Sequence, residues 1–419
     1  MSKDLTFIKI YTYIYLFLML YKPTLLPISM NYFITIWAFL GIIINGINKK
    51  IQFKLNYFKD NNPFRTIFIT ILLIVIYLII VISFTSKDYS LVKLYVIYFA
   101  YLIQAYYAII LFKKYSKDSK ESEKYLINIC IIQSIFCCIM IIFPNIRQTI
   151  INYLASNSNN SKILFNAYSV RIYGIAGEYL YTIGLIHGIM TTYLINGALK
   201  NHKTKNIIIA IFILLPAILN ARIGVVCCLT SCLFILIINF FKGNFIKKIN
   251  IIKLILIVVI MIFIAKILCE KYLPTTYVWI NDGIEAIIDL IMGNENRYYG
   301  KLTSDFLVWP QKWQFIFGKG VVPGGINYFK LYGYVSDIGY VIDVHIGGII
   351  LSILMYGAWI KVLFNNWKIK AYEEKVFSLS IILFIALANY KGRIVGAPEI
   401  LILIILLMCK DRIIYKNKK

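Results

Sequence analysis

Apolar runs of close to twenty residues recur along the whole chain, separated by short stretches in which lysine predominates. A run of that length is what a helix needs to cross a hydrocarbon layer about 30 Å thick, at about 1.5 Å per residue. The pattern predicts an all-α, polytopic helical membrane protein of about twelve transmembrane spans. Their centres fall near Tyr15, Ile36, Ile74, Tyr101, Phe136, Leu185, Leu214, Leu233, Val259, Leu351, Leu383 and Ile404. Residues 1–419 read as one membrane domain, with no internal repeat and no linker that would cut off a second. The apolar stretch around Tyr11 to Tyr21 is followed by another span and not by a small-residue cleavage site, so the first span is expected to be retained.

The connections give the expected topology. Lysine clusters follow every second span: Lys49 to Lys59, Lys113 to Lys124, Lys200 to Lys205, Lys242 to Lys248, Lys361 to Lys370 and the Lys410 to Lys419 tail. Short basic loops stay in the cytoplasm, which puts both termini there. Two connections on the opposite side are longer, residues 144–171 and residues 270–335. The second contains 14 aromatic residues, which argues against disorder, and is expected to fold as short helices against the membrane. Between Asn206 and Phe241, only 36 residues must supply two spans and a turn carrying Pro216, Asn220, Ala221 and Arg222. So short a hairpin suggests a thinned or funnel-like outer face, although tilt would also account for it.

Composition narrows the class. With 60% hydrophobic and 15% charged residues, the chain cannot cover itself as a soluble domain does. The net charge of +25 is dispersed among the loops, so it fits orientation in a membrane and gives no reason to expect nucleic acid. Six of the eight cysteines fall inside apolar spans, with Cys269 and Cys409 near span ends. Without metal-type spacing to histidine they read as helix-packing residues, and neither a metal nor a structural disulfide is expected.

Arginine breaks the bias toward lysine: there are 7 arginines against 37 lysines, and Arg147, Arg171, Arg222, Arg297 and Arg393 fall on the expected outer side. Guanidinium grips phosphate through a planar fork of donors. Arg171, Arg222, Arg297 and Arg393 are therefore candidate substrate-binding residues for a phosphate or pyrophosphate, with headgroup snorkelling the alternative for any one of them. Trp279, Trp309 and Trp313 lie in the 270–335 connection among tyrosines and carboxylates, a mixture suited either to sugar binding or to an interfacial aromatic belt. That connection runs into Ser336-Asp337-Ile338-Gly339-Tyr340 and a span holding Asp343, His345, Gly347 and Gly348. Asp337 is the candidate general base, with His345 about two turns further along and Glu178, seven residues after Arg171, as the other candidate catalytic groups.

Taken in order, Arg171-x-x-Gly174 with Glu178, the Asn220-Ala221-Arg222 turn, Arg297 ahead of Gly318-x-Gly320, and Ser336-Asp337-x-Gly339-Tyr340 resemble the Wzy-type O-antigen and capsule polymerases and the related O-antigen ligases. Ligases carry a His-Asn pair where this chain has Ser336-Asp337, so the resemblance leans to the polymerases. It implies a GT-C-like integral-membrane glycosyltransferase of the bacterial cytoplasmic (inner) membrane, independent of metal and cofactor. Its reaction would move a growing glycan from undecaprenyl pyrophosphate onto an incoming lipid-linked oligosaccharide repeat unit. Membrane lipid, a flippase and a chain-length regulator of the same pathway would be its partners. A flippase for the same lipid-linked oligosaccharides, or a ligase, is the alternative.

Overall fold

The computed structural model describes residues 2–23, 29–47, 63–116, 118–156, 171–177, 181–201, 204–242, 306–323, 336–365, 367–394 and 397–415, with scattered residues between 267 and 294. Their regular elements are helices: α1 (Ser2–Tyr21), α2 (Met30–Ile47), α3 (Pro63–Phe84), α4 (Ser90–Tyr115), α5 (Ser119–Ile142), α6 (Pro144–Ser156), α7 (Thr182–Asn201), α8 (Thr204–Asn220), α9 (Arg222–Lys242), the short α10 (Trp313–Phe317), α11 (Gly339–Leu363), α12 (Tyr372–Lys391) and α13 (Pro398–Tyr415). A helix covers each expected span centre except Val259, which lies outside the described residues. So do Glu178, Arg297 and much of the 270–335 connection. Among the described residues, six helices (α3, α4, α5, α7, α9 and α11) are long and apolar enough to cross a membrane. This is the architecture of a helical membrane protein.

The chain divides into two compact units, residues 1–33, 120–287 and 370–385 in the first, and residues 34–119, 288–369 and 386–419 in the second. In the first unit α7 and α9 meet backbone to backbone. A Cβ on Gly224 would overlap Gly184, and one on Gly188 would come within 2.8 Å of the Gly224 carbonyl. Gly184 and Gly188 are four residues apart on one face of α7, the small-residue spacing that lets membrane helices approach closely where no hydrophobic force drives them together. The expected hairpin is present as α8 and α9, with Ala221 the one non-helical residue between them. The 144–171 connection begins with α6.

The second unit holds the largest departure from expectation. A single span was expected around Leu351, but α11 is broken at Gly347 and Gly348, the latter at φ +66. Along a straight helix Tyr340 and Tyr356 would stand about 24 Å apart, yet their ring centroids are 5.6 Å apart. The Tyr356 hydroxyl donates to Asp343, 13 residues earlier, at 2.5 Å. The first eight residues of α11 therefore fold back along the start of its second part, and the helix reaches spanning length only as the sum of both.

Glycine permits this turn, because Gly348 takes a backbone conformation that L side chains rarely adopt and its missing Cβ leaves room for the Ile316 carbonyl. The carbonyls released by the break are paired. Lys319 N–H donates to His345 O at 2.7 Å, Gly320 N–H to Ile346 O at 3.1 Å, and the Tyr77 hydroxyl lies 2.9 Å from Gly347 O. Gly318 (φ +89) and Gly320 (φ +65) shape the strand of chain that makes these bonds.

Candidate functional site

In the first unit, residues 171–177 run without helical structure against α1, α5 and α8. The Ile172 carbonyl accepts from Asn220 Nδ2 at 2.6 Å and the Tyr173 carbonyl from Gln133 Nε2 at 2.5 Å. Gly177 N–H donates to Tyr21 O at 3.1 Å. Gln133 and Asn220 are buried, so their amides replace the partners that water would give this stretch elsewhere. Gly174, at φ +61, makes the turn, and a Cβ there would strike the Gln133 amide. The segment lies well within the length of α5, which continues from Gln133 to Ile142, about 14 Å at 1.5 Å per residue. Arg171 lies at the start of this segment, where Nη1 is 3.5 Å from the Tyr173 hydroxyl, and Arg222 opens α9 next to Asn220 and Ala221; both are half-buried.

Nearby, His187 is fully buried, with Nε2 2.8 Å from the Tyr21 hydroxyl and Nδ1 2.7 Å from Ile213 O. The sequence offers it no evident partner. The partners come from helices 166 and 26 residues away, and with both ring nitrogens engaged it is a packing residue.

In the second unit Asp337 precedes the first part of α11, His345 lies within it, and Arg393 meets that part through Asp343. Ser336 turns inward: its hydroxyl donates to Phe306 O at 2.7 Å and receives Ile338 N–H at 3.1 Å. Asp337 turns outward, with its side chain 64% exposed and its carboxylate 3.4 Å from Lys391 Nζ. Because the Tyr340 ring packs tilted against that of Tyr356, this exposed pair stands beside the interior of the second part of α11. A carboxylate there must meet water, since lipid exposure would be costly. His345 is buried and donates from Nε2 to Val308 O at 2.9 Å, anchoring the 306–323 segment. His345 stands about two turns beyond Asp337, at the end of the first part of α11 and just before the reversal.

Arg393 lies in the connection between α12 and α13, and its side chain is only 13% exposed. Nε donates to Asp343 Oδ1 at 2.5 Å, Nη2 donates to the Tyr95 hydroxyl, and the guanidinium lies 5.2 Å from the Tyr95 ring centroid. Asn389 Nδ2 donates to the Tyr356 hydroxyl at 2.6 Å, and its Oδ1 accepts from Ile394 N–H at 3.0 Å. Tyr101 donates to the buried Glu399 at 2.8 Å. Tyr95 and Tyr101 are five and eleven residues into α4, so this connection and the start of α13 lie about 8 to 17 Å along that helix.

No protein-family model, curated protein or solved structure matches this chain.

In each unit an arginine, Arg171 in the first and Arg393 in the second, occupies non-helical backbone lying within the length of a longer helix, a placement a membrane tolerates only where the backbone is buried in protein or lines water. Among the described residues no group of three His, Cys, Asp or Glu side chains could hold a metal ion. The arrangement suits binding an anion and moving a proton to an exposed carboxylate. Sequence reasoning picked out Arg393 but passed over the nearby Asn389 and also Tyr95 and Tyr356, which the fold brings from far along the chain. The Gly347-Gly348 pair was the one signal for that convergence.

Proposed function

We propose that this chain is a polymerase of surface polysaccharide at the outer face of a bacterial cytoplasmic membrane. It would have about twelve spans, a large outer connection over residues 270–335 and cytoplasmic termini. It transfers a growing glycan from undecaprenyl pyrophosphate to a hydroxyl at the non-reducing end of an incoming lipid-linked repeat unit. The bond from the anomeric carbon to the pyrophosphate oxygen breaks and a glycosidic bond to the hydroxyl oxygen forms. Asp337 or Glu178 takes the hydroxyl proton, and arginines stabilise the charge growing on the departing pyrophosphate.

One observation carries this reading: in a chain with 37 lysines, arginine occupies non-helical backbone sunk within the length of longer helices, at Arg171 and Arg393, while Arg222 opens α9 next to Asn220, which holds the Arg171 segment. Guanidinium keeps its charge in such surroundings and matches phosphate geometry. The exposed Asp337 supplies an acceptor for a proton. A second reading, a flippase for the same lipid-linked oligosaccharides, is favoured by the break in α11, since discontinuous helices are a common feature of transporters. Purified protein in lipid vesicles, given lipid-linked repeat units alone, separates the two. A ladder of polymer supports the polymerase, whereas movement of intact units between leaflets without a ladder supports the flippase.

A further inference from the structure

The partners of Arg393 form a closed ring. From the guanidinium the chain of bonds passes through Asp343 Oδ1 and Oδ2 to the Tyr356 hydroxyl, through Asn389 to Ile394 N–H, and so back to the residue beside Arg393. Asp343 is 2% exposed on its side chain, so it answers to nothing in bulk water. Both its oxygens are committed, one to Nε and one to Tyr356, which prevents the carboxylate from rotating. Tyr95 fixes the plane of the guanidinium from the other side through Nη2 and its ring face. This ring closes only because α11 reverses at Gly347 and Gly348. In a straight helix Asp343 and Tyr356 would be about 20 Å apart.

We infer that Asp343 and Tyr356 are positioning residues that aim Arg393 at the phosphate of the lipid-linked substrate, making the fold of α11 part of the anion site. The inference rests on reading Arg393 as a phosphate-binding group of the polymerase proposed above. A guanidinium recognises phosphate by direction as much as by charge, so the residues that set its plane set its effect.

The test uses full-length protein in lipid nanodiscs, with Asp343→Asn, Tyr356→Phe, Arg393→Lys and the Asp343→Asn/Arg393→Lys double variant. Two quantities are measured: the rate at which phenylglyoxal modifies Arg393, followed by mass spectrometry, and kcat and KM for polymer formation from lipid-linked repeat units. Asp343→Asn and Tyr356→Phe should each speed modification of Arg393 severalfold. Each should also lower kcat about tenfold with little change in KM, and Asp343→Asn should cost nothing more once Arg393 is lysine. Unchanged modification in both single variants, or losses that simply add in the double variant, would overturn the inference. Tyr356→Phe removes one hydroxyl only and keeps the test decisive if Asp343→Asn fails to fold. Wild-type protein that makes no polymer would sink the proposed function instead, while the modification rates would still judge the positioning.

Discussion

Arg393 and Asp343 illustrate what a buried ion pair does in this protein. Removing one member leaves the other charged without its counter-charge in a low dielectric, which costs about 3 to 5 kcal/mol. Arg393→Ala should therefore lower the thermal unfolding midpoint and the yield of inserted protein. Adding Asp343→Asn should recover part of that loss, because it removes the stranded charge. The arginines of the first unit stand differently. Arg171 and Arg222 are half-buried beside a stretch of backbone that other residues hold. Arg171→Ala, Arg222→Ala and Arg297→Ala should leave insertion intact and reduce polymer by about a hundredfold or more, the scale of losing a charge that stabilises a transition state. Lysine at these positions should rescue poorly, lacking the planar fork. Polymer of normal length from all three alanine variants would make them headgroup anchors. Asp337→Asn with full activity would remove the proposed base. At this scale the sequence was informative about residue type, since arginine stands out against lysine. It was silent about partners, because Tyr95 and Arg393 are 298 residues apart.

At the scale of elements, α11 decides how the second unit is built. Hydropathy reads Gly339 to Leu363 as one apolar run, and apolarity carries no information about direction, so the reversal was hidden behind a correct span centre. The same blindness did not affect α8 and α9, where Asn220 and Arg222 flank the turn and mark it. Two measurements test the folded-back geometry. With cysteines in place of Tyr340 and Tyr356 in a background lacking the native cysteines, a short bifunctional maleimide should link the two positions within one chain, detected as a single cross-linked peptide. A straight helix, holding them about 24 Å apart, would give none. Gly348→Ala should sharply reduce the folded fraction, since the left-handed backbone alone costs about 1 to 2 kcal/mol and the added Cβ meets the Ile316 carbonyl. Gly357→Ala, with open space around it, should be tolerated and serves as the control. Equal behaviour of the two variants would contradict the turn.

For the whole molecule, length, apolar periodicity and the spacing of lysine clusters made the helical membrane class legible, and helices lie over nearly all the expected centres. What the sequence could not convey was that both units place non-helical chain within the length of longer helices. That placement depends on distant amides such as Gln133 and Asn220 satisfying backbone carbonyls. Sunken backbone of this kind is expensive in a membrane, and its presence in both units supports the proposed function. The proposed polymerisation of lipid-linked repeat units is tested most directly by gel analysis of lipid-linked glycans in cells lacking the protein. Single repeat units accumulating on their carrier at the outer face, with no ladder, are the predicted result. Units held on the cytoplasmic face, or full-length polymer left on the carrier, would contradict the account, the first pointing to a flippase and the second to a ligase.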